Sequence, residues 1–181
     1  MQMALSVVIL LVLLKLVSSS APTAHIRRAS DLPLAMSNMR SQSYYGFVIL
    51  LDMLNATTKA SLSQQATFLM PSDEQLGQYT IPPSRLEEFI VSHTIPKPLV
   101  FSDLAHVPSG TLIPSVFNNR LLRIARVGRR VFVNNAQIVT PNVCSSATIK
   151  CHGISSVISS RNEIMDHSAT TAASGAKIYG S

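Results

Sequence analysis

The stretch "ATFLMPSDEQL", residues 66–76, constrains the fold more than any other part of the chain. Phe68, Leu69 and Met70 form an apolar run that stops at Pro71, and Ser72, Asp73 and Glu74 follow at once. Pro71 has no amide hydrogen to give to a ladder, so it ends a strand over Thr67 to Met70. Ser72 suits the N-cap of a helix beginning at Asp73 and Glu74, whose charges favour the positive end of the helix dipole. A buried strand therefore runs straight into a helix start. Such a junction either carries chemistry or holds a fold together.

The patterning on either side differs. The 181 residues are 46% apolar, enough for one domain with a real core plus its ends. Ala21 to Ser43 is polar, with Pro22, Pro33 and Arg27-Arg28, and reads as a loosely ordered lead-in. Tyr44 to Lys59 places Phe47, Val48, Leu50, Leu51 and Leu54 on one face of a helix. Beyond Ile81-Pro82-Pro83, Ser84 suits the cap of a second helix, with Glu87 at the reciprocal capping-box position and Leu86, Phe89, Ile90 and His93 on one face. Pro96 and Pro98 stop that helix, and "VFSDLAHV" reads as another turn or two. From Thr111 the chain breaks into short β-rich runs separated by Asn-Asn, Gly and Pro. Gly128, between two β-branched runs, favours a hairpin over the helix that Arg120, Arg123, Arg126 and Arg130 could also share. Residues 161–181 form a polar, small-residue tail.

The first twenty residues stand apart. Val7 to Leu14 is continuously apolar, short for a membrane span and the right length for a signal-peptide core. Ser18 and Ser20 suit cleavage before Ala21, and a retained anchor is the alternative. Export makes Cys144 and Cys151 expected partners in a structural disulfide, with two buried thiols as the other option. A zinc site on Cys144, Cys151 and His152 would lack a fourth ligand. Asn55-Ala56-Thr57 is an N-glycosylation sequon at the polar end of a helical pattern. The tail lacks the apolar run of a lipid-anchor signal, so a soluble, untethered, extracellular product is expected, in a cell wall or apoplast.

Three segments resemble a known family. "TFLMPSDEQL" is similar to the first signature of plant-type fasciclin domains, as found in fasciclin-like arabinogalactan proteins. "LEEFIVSHTIP" resembles the family's helix that ends in a His-hydrophobic-hydrophobic-Pro segment, and "IKCHGISSVI" resembles its last strand. Thr67, Phe68, Pro71, Ser72, Asp73 and His93 carry the resemblance, which covers roughly Tyr44 to Ile158 within a domain over 44–160. It implies an α+β fold, a wedge-shaped β-sandwich packed with several helices, helices mainly N-terminal and strands mainly C-terminal. It makes the Pro71-Ser72-Asp73 corner a scaffold device. The departures are Gln75 for the usual Ala, Ser156 where a His is common and Ser159 where an Asp stands. The Ala-Pro, Ser-Pro and Thr-Pro repeats of arabinogalactan regions are missing.

No catalytic constellation stands out. Ser72, Asp73 and His93 come without a Gly-x-Ser-x-Gly elbow, and adjacent Asp73 and Glu74 cannot flank one substrate as a glycosidase pair does. His93 reads as a helix-end side chain bonded inside the fold. The chain is expected to be non-enzymatic and to need no cofactor or metal. Its most informative surface feature is charge. From Leu104 to Asn162 there is no Asp or Glu, while Arg120, Arg123, Arg126, Arg129, Arg130 and Lys150 fall in that span, within a net charge of +6. These six form the candidate site for an acidic polysaccharide, set against a plain solvated surface. The expected partners are wall polymers or extracellular proteins, with no nucleic acid. A small-molecule or lipid pocket between helices and sandwich is the alternative function.

Overall fold

The computed structural model describes residues 31–118 and 120–158. The signal segment at 1–20, the first part of the lead-in, Ser159 and the tail at 161–181 lie outside the described residues. The order of elements is α1 (Asp31–Ser41), α2 (Tyr45–Asp52), α3 (Ala56–Leu62), β1 (Ala66–Pro71), α4 (Asp73–Leu76), a 3-10 turn (Pro83–Arg85), α5 (Leu86–Ser92), β2 (Thr94–Ile95), α6 (Phe101–His106), β3 (Leu112–Pro114), β4 (Leu121–Val127), β5 (Arg130–Val133), β6 (Ala136–Thr140) and β7 (Ile149–Ile154). Helices dominate the first half and strands the second, as the resemblance implies.

Strand β1 explains why its sequence is apolar without alternation. It pairs in parallel with β7, Phe68 opposite Cys151 and Leu69 opposite His152. Every residue of β1 is buried. Ala66, Phe68 and Met70 face a core built with the helices, alongside Met39, Phe47, Leu51 and Ile90. Leu69 faces the opposite core, with Ile95, Leu122, Ile124, Val131 and Val133. A strand covered on both faces has no solvent side to mark with polar residues. Thr67 is the polar exception: its hydroxyl donates to the Lys97 carbonyl and accepts the Leu99 amide at 2.7 Å.

The sandwich is one continuous sheet, ordered β2-β1-β7-β6-β5-β4-β3. It bends so that Leu69, Ile95 and Ile154 from one end share a core with Leu122, Ile124 and Val131 from the other. The register shift between Ile138 and Thr140, where β6 meets β7, sits within that bend. Beyond β3, the Val116 amide donates to the Thr94 carbonyl at 2.8 Å, so the two ends of the sheet meet. The β4–β5 hairpin forms as expected, with Val127 opposite Arg130 and Gly128 at φ 61°. Positive φ at Gly128 and not at Arg129 makes the two-residue turn type II′, which matches the strand twist.

Three expectations need correction. The lead-in is not loose from Asp31 onward: α1 buries Leu32, Ala35, Met36 and Met39 at helical spacing against the helical core. Pro33 misled the reading, since a proline in the first turn of a helix is tolerated. The Asp31 carboxylate then accepts the Ser146 hydroxyl at 2.5 Å and the Thr148 hydroxyl at 2.6 Å, pinning the start of α1 beside β7. The single helix expected over Tyr44 to Lys59 is two, because the Asn55 side chain accepts the Thr58 amide and starts α3 anew. The Ser84–Glu87 capping box does not form. Ser84 lies in a 3-10 turn, α5 starts after Arg85 without a side-chain cap, and the Glu87 carboxylate accepts from Asn55 and from the Thr58 hydroxyl instead.

Candidate functional site

The strand-to-helix junction is built to hold position. The Ser72 hydroxyl accepts the Gln75 amide at 3.3 Å, the N-cap bond of α4. Asp73 Oδ1 accepts the Gly46 amide at 2.8 Å, tying α4 to the first turn of α2. A side chain at Gly46 would press on Asp73 and Leu76 at 3.0–3.1 Å, so glycine there permits the approach. Ser72, Asp73 and His93 each bond elsewhere, and the bonds they make do not link them as a triad.

His93 is fully buried at the C-terminal end of α5. Its Nδ1 lies 2.8 Å from the Phe89 carbonyl and donates to it. Its Nε2 accepts the Ile158 amide at 3.0 Å. The two bonds define one neutral tautomer. Burial, opposed by the Phe89 bond and assisted by the Arg120 charge, pushes its pKa down to about 4. The imidazole also borders a cavity of about 80 Å3, along with Pro82, Arg85, Glu88, Phe89 and Arg120. Glu88 is held below the usual carboxylate range, chiefly by its hydrogen bond from Arg85. His152, on β7, repeats the arrangement: Nε2 donates to the Leu99 carbonyl at 2.9 Å and Nδ1 accepts the Asn142 amide at 3.1 Å. Burial lowers its pKa too, against the Leu99 bond and the Asp103 charge. Neither histidine is arranged to take a substrate proton, since both ring nitrogens are occupied by backbone.

The six cationic residues do not gather on one face. Arg126 turns away to donate to the Ala105 carbonyl of α6 at 2.7 Å. Arg120 lies over the Phe117 ring, 5.5 Å from its centroid, at the cavity mouth. Lys150 is three strands away from β4 and donates to the Ser146 carbonyl at 2.6 Å. Arg123, Arg129 and Arg130 remain together on the β4–β5 hairpin, all exposed. Among the described residues none hydrogen-bonds or pairs with their side chains.

Strand alternation decides what shares their surface. Leu122, Ile124, Val131 and Val133 point into the core. Arg123, Ala125 and Val127 of β4, and Arg130 and Phe132 of β5, therefore point out. Phe132, paired with Ala125 on one side and Gln137 on the other, stands half-buried between Arg123 and Arg130. The sequence reading missed Phe132. Its signal was the period-two run Arg130-Val131-Phe132-Val133, which puts the arginine and the aromatic on one side.

Two further expectations can be placed. Cys144 and Cys151 form a disulfide, joining the loop before β7 to β7 itself, and the Val143 amide donates to the Cys151 carbonyl at 2.8 Å. Asn55 of the sequon is exposed, but its Nδ2, the atom a glycan would occupy, donates to Glu87 at 3.2 Å. No group of three or more His, Cys, Asp or Glu side chains among the described residues could hold a metal ion. No helix among them is long and apolar enough to cross a membrane.

The fasciclin domain model matches residues 43–160. The chain is 26% identical over 155 residues to fasciclin-like arabinogalactan protein 21 of Arabidopsis thaliana, which covers 82% of this chain and 44% of that protein. Among solved structures it is similar to the FAS1 domain pair of the insect cell adhesion molecule fasciclin I. The TM-score is 0.56 at 16% identity, covering 66% of this chain and 46% of that one. The chain thus spans less than half the length of either, and the second likeness concerns the fold. Helix α1 precedes the matched region and still contributes to the core.

Proposed function

The chain belongs to the fasciclin domain family, and from that premise we propose that it is a secreted, non-enzymatic interaction module of the extracellular matrix or cell wall. It acts by surface contact, with acidic polysaccharide as the partner of its exposed arginines. The observation that carries this reading is the state of Arg123, Arg129 and Arg130. Their guanidiniums have no side-chain or backbone partner among the described residues, and they sit in a span without a single carboxylate from Leu104 to Asn162. An exposed guanidinium offers a planar fork that fits a carboxylate with two parallel hydrogen bonds. The occurrence of the fold in an insect cell adhesion molecule supports a contact role. The backbone bonds of the buried His93 and His152, and of Asp73 at the surface, also support it, because they fit a scaffolding use of these polar groups.

The test is retention of the folded, secreted protein on immobilised polygalacturonate against a neutral glucan, over a salt series. Retention that fades with salt, and falls when Arg123, Arg129 and Arg130 are all replaced by Ser, supports the reading. Arg126 is left in place because its bond to Ala105 is structural. Equal and negligible retention on both polymers removes acidic polysaccharide as the partner.

A further inference from the structure

The arrangement around Phe132 specifies more than a charge. Arg130 and Phe132 are two residues apart on β5, and Phe132 is opposite Ala125, two residues from Arg123 on β4. Arg123 and Arg130 therefore occupy diagonal corners of the hairpin's outer face, with the aromatic ring between them. Four residues of strand and one strand spacing separate their Cα atoms, about 14 Å. The rest of this face is uncharged and bare: Leu121 is 52% exposed and Val127 62% exposed.

We infer that this face is a subsite for one extended polyuronate chain, laid diagonally across the hairpin. Carboxylates of two separate sugar units pair with Arg123 and Arg130, and the apolar face of a unit between them rests on Phe132. This rests on the acidic-polysaccharide reading and adds its geometry. Charge complementarity selects the partner, because the face offers two forks and no acid. The flat, apolar middle suits the carbon-hydrogen face of a sugar ring, which a uronate has and a simple polyanion lacks. A second copy of the chain does not fit: a two-fold pairing of this face, whose only charges are Arg123 and Arg130, would set arginine against arginine.

The consequence is a length threshold. A single uronate reaches one guanidinium; a chain long enough to span the diagonal reaches both and covers the ring. The experiment measures affinity of the folded, secreted protein for galacturonate oligomers of increasing length, by titration at fixed low salt. Affinity should rise abruptly at the length that first spans the two arginines, then level off. Arg123→Gln and Arg130→Gln should each remove the rise, lowering affinity for long oligomers by about three- to tenfold. Phe132→Ser should weaken them comparably without altering the salt slope. Lys97→Gln, which lowers net charge equally from an exposed position in the loop after β2, should leave the threshold in place. Circular dichroism confirms that each variant is folded.

Salt-sensitive binding that grows smoothly with length, or that ignores Phe132, would overturn the subsite while leaving the charge-based reading standing. Equal affinity for polyglutamate of matched charge, which carries carboxylates but no sugar ring, would overturn it likewise. Absence of binding to any uronate polymer would remove both.

Discussion

His93 Nε2 accepts the Ile158 amide at 3.0 Å, so the end of α5 holds the chain just after β7. That bond exists only while the ring is neutral. Protonation puts a hydrogen on Nε2, facing another N–H, in a buried site that also feels Arg120 and lies beside the cavity lined by Arg85 and Glu88.

Stability should therefore fall as the solution is acidified. The ring titrates near 6.5 when unfolded and at about 4 when folded, so the unfolded chain binds the proton more readily between those values. The contribution is complete above pH 6.5 and is lost as pH falls to about 4, amounting to roughly 3 kcal/mol. His152, shifted in the same direction, adds to the same trend. Urea denaturation of the wild type and of His93→Gln across this range checks it. The variant should be less stable at neutral pH and show a flatter profile; identical profiles would contradict the assignment.

Gly153 is required by Tyr44. A Cβ on Gly153 would collide with the Tyr44 hydroxyl and lie 2.7 Å from its Cζ and 2.9 Å from the Thr140 Cβ. Gly153→Ala should cost about 1–3 kcal/mol, as overpacking in a core does. Adding Tyr44→Phe should recover only part of it, because the ring carbon remains in the way. Thermal melts of the three proteins give the answer.

Asp73→Ala should lower stability by about 1 kcal/mol, through loss of the Gly46 bond and of a negative charge in the first turn of α4. Asp73→Asn keeps an acceptor for Gly46 and should cost less. A catalytic role for Asp73 would instead separate activity from stability in this pair, and denaturant midpoints supply the stability side.

Opening the Cys144–Cys151 bridge should destabilise the domain by about 2–3 kcal/mol, the chain-entropy value for a short closed loop. Cys151 is fully buried beside Phe68, so a Cys144→Ala/Cys151→Ala pair keeps an apolar core and isolates the effect of the cross-link. Comparing its melting temperature with that of the reduced wild type distinguishes loss of the bridge from loss of packing.

Much of the scaffold was legible because its signals are local. Pro71 ending β1, Ser72 capping α4 and Gly128 turning the β4–β5 hairpin each follow from the stereochemistry of a few neighbouring residues. The errors arose where a distant partner outbid the local rule. Glu87 leaves a capping box for Asn55 and Thr58 on another helix. The segment around Pro33 became a helix because Leu32, Ala35, Met36 and Met39 found a core to fill.

The sequence by itself indicated a mixed fold with helices before strands, made Cys144 and Cys151 expected partners, and contained the carboxylate-free stretch that holds the arginines. Which arginines are free was decided only by tertiary structure. Arg120, Arg126 and Lys150 look like Arg123 and Arg130 in the chain, yet an aromatic ring and two carbonyls engage them once α6, β4 and β7 are packed. Composition counts charges but not their partners: Arg126 reaches the Ala105 carbonyl, 21 residues away, only once β4 and α6 are packed, while Arg120 and Lys150 are engaged by near neighbours, Phe117 and Ser146, that the fold brings against them.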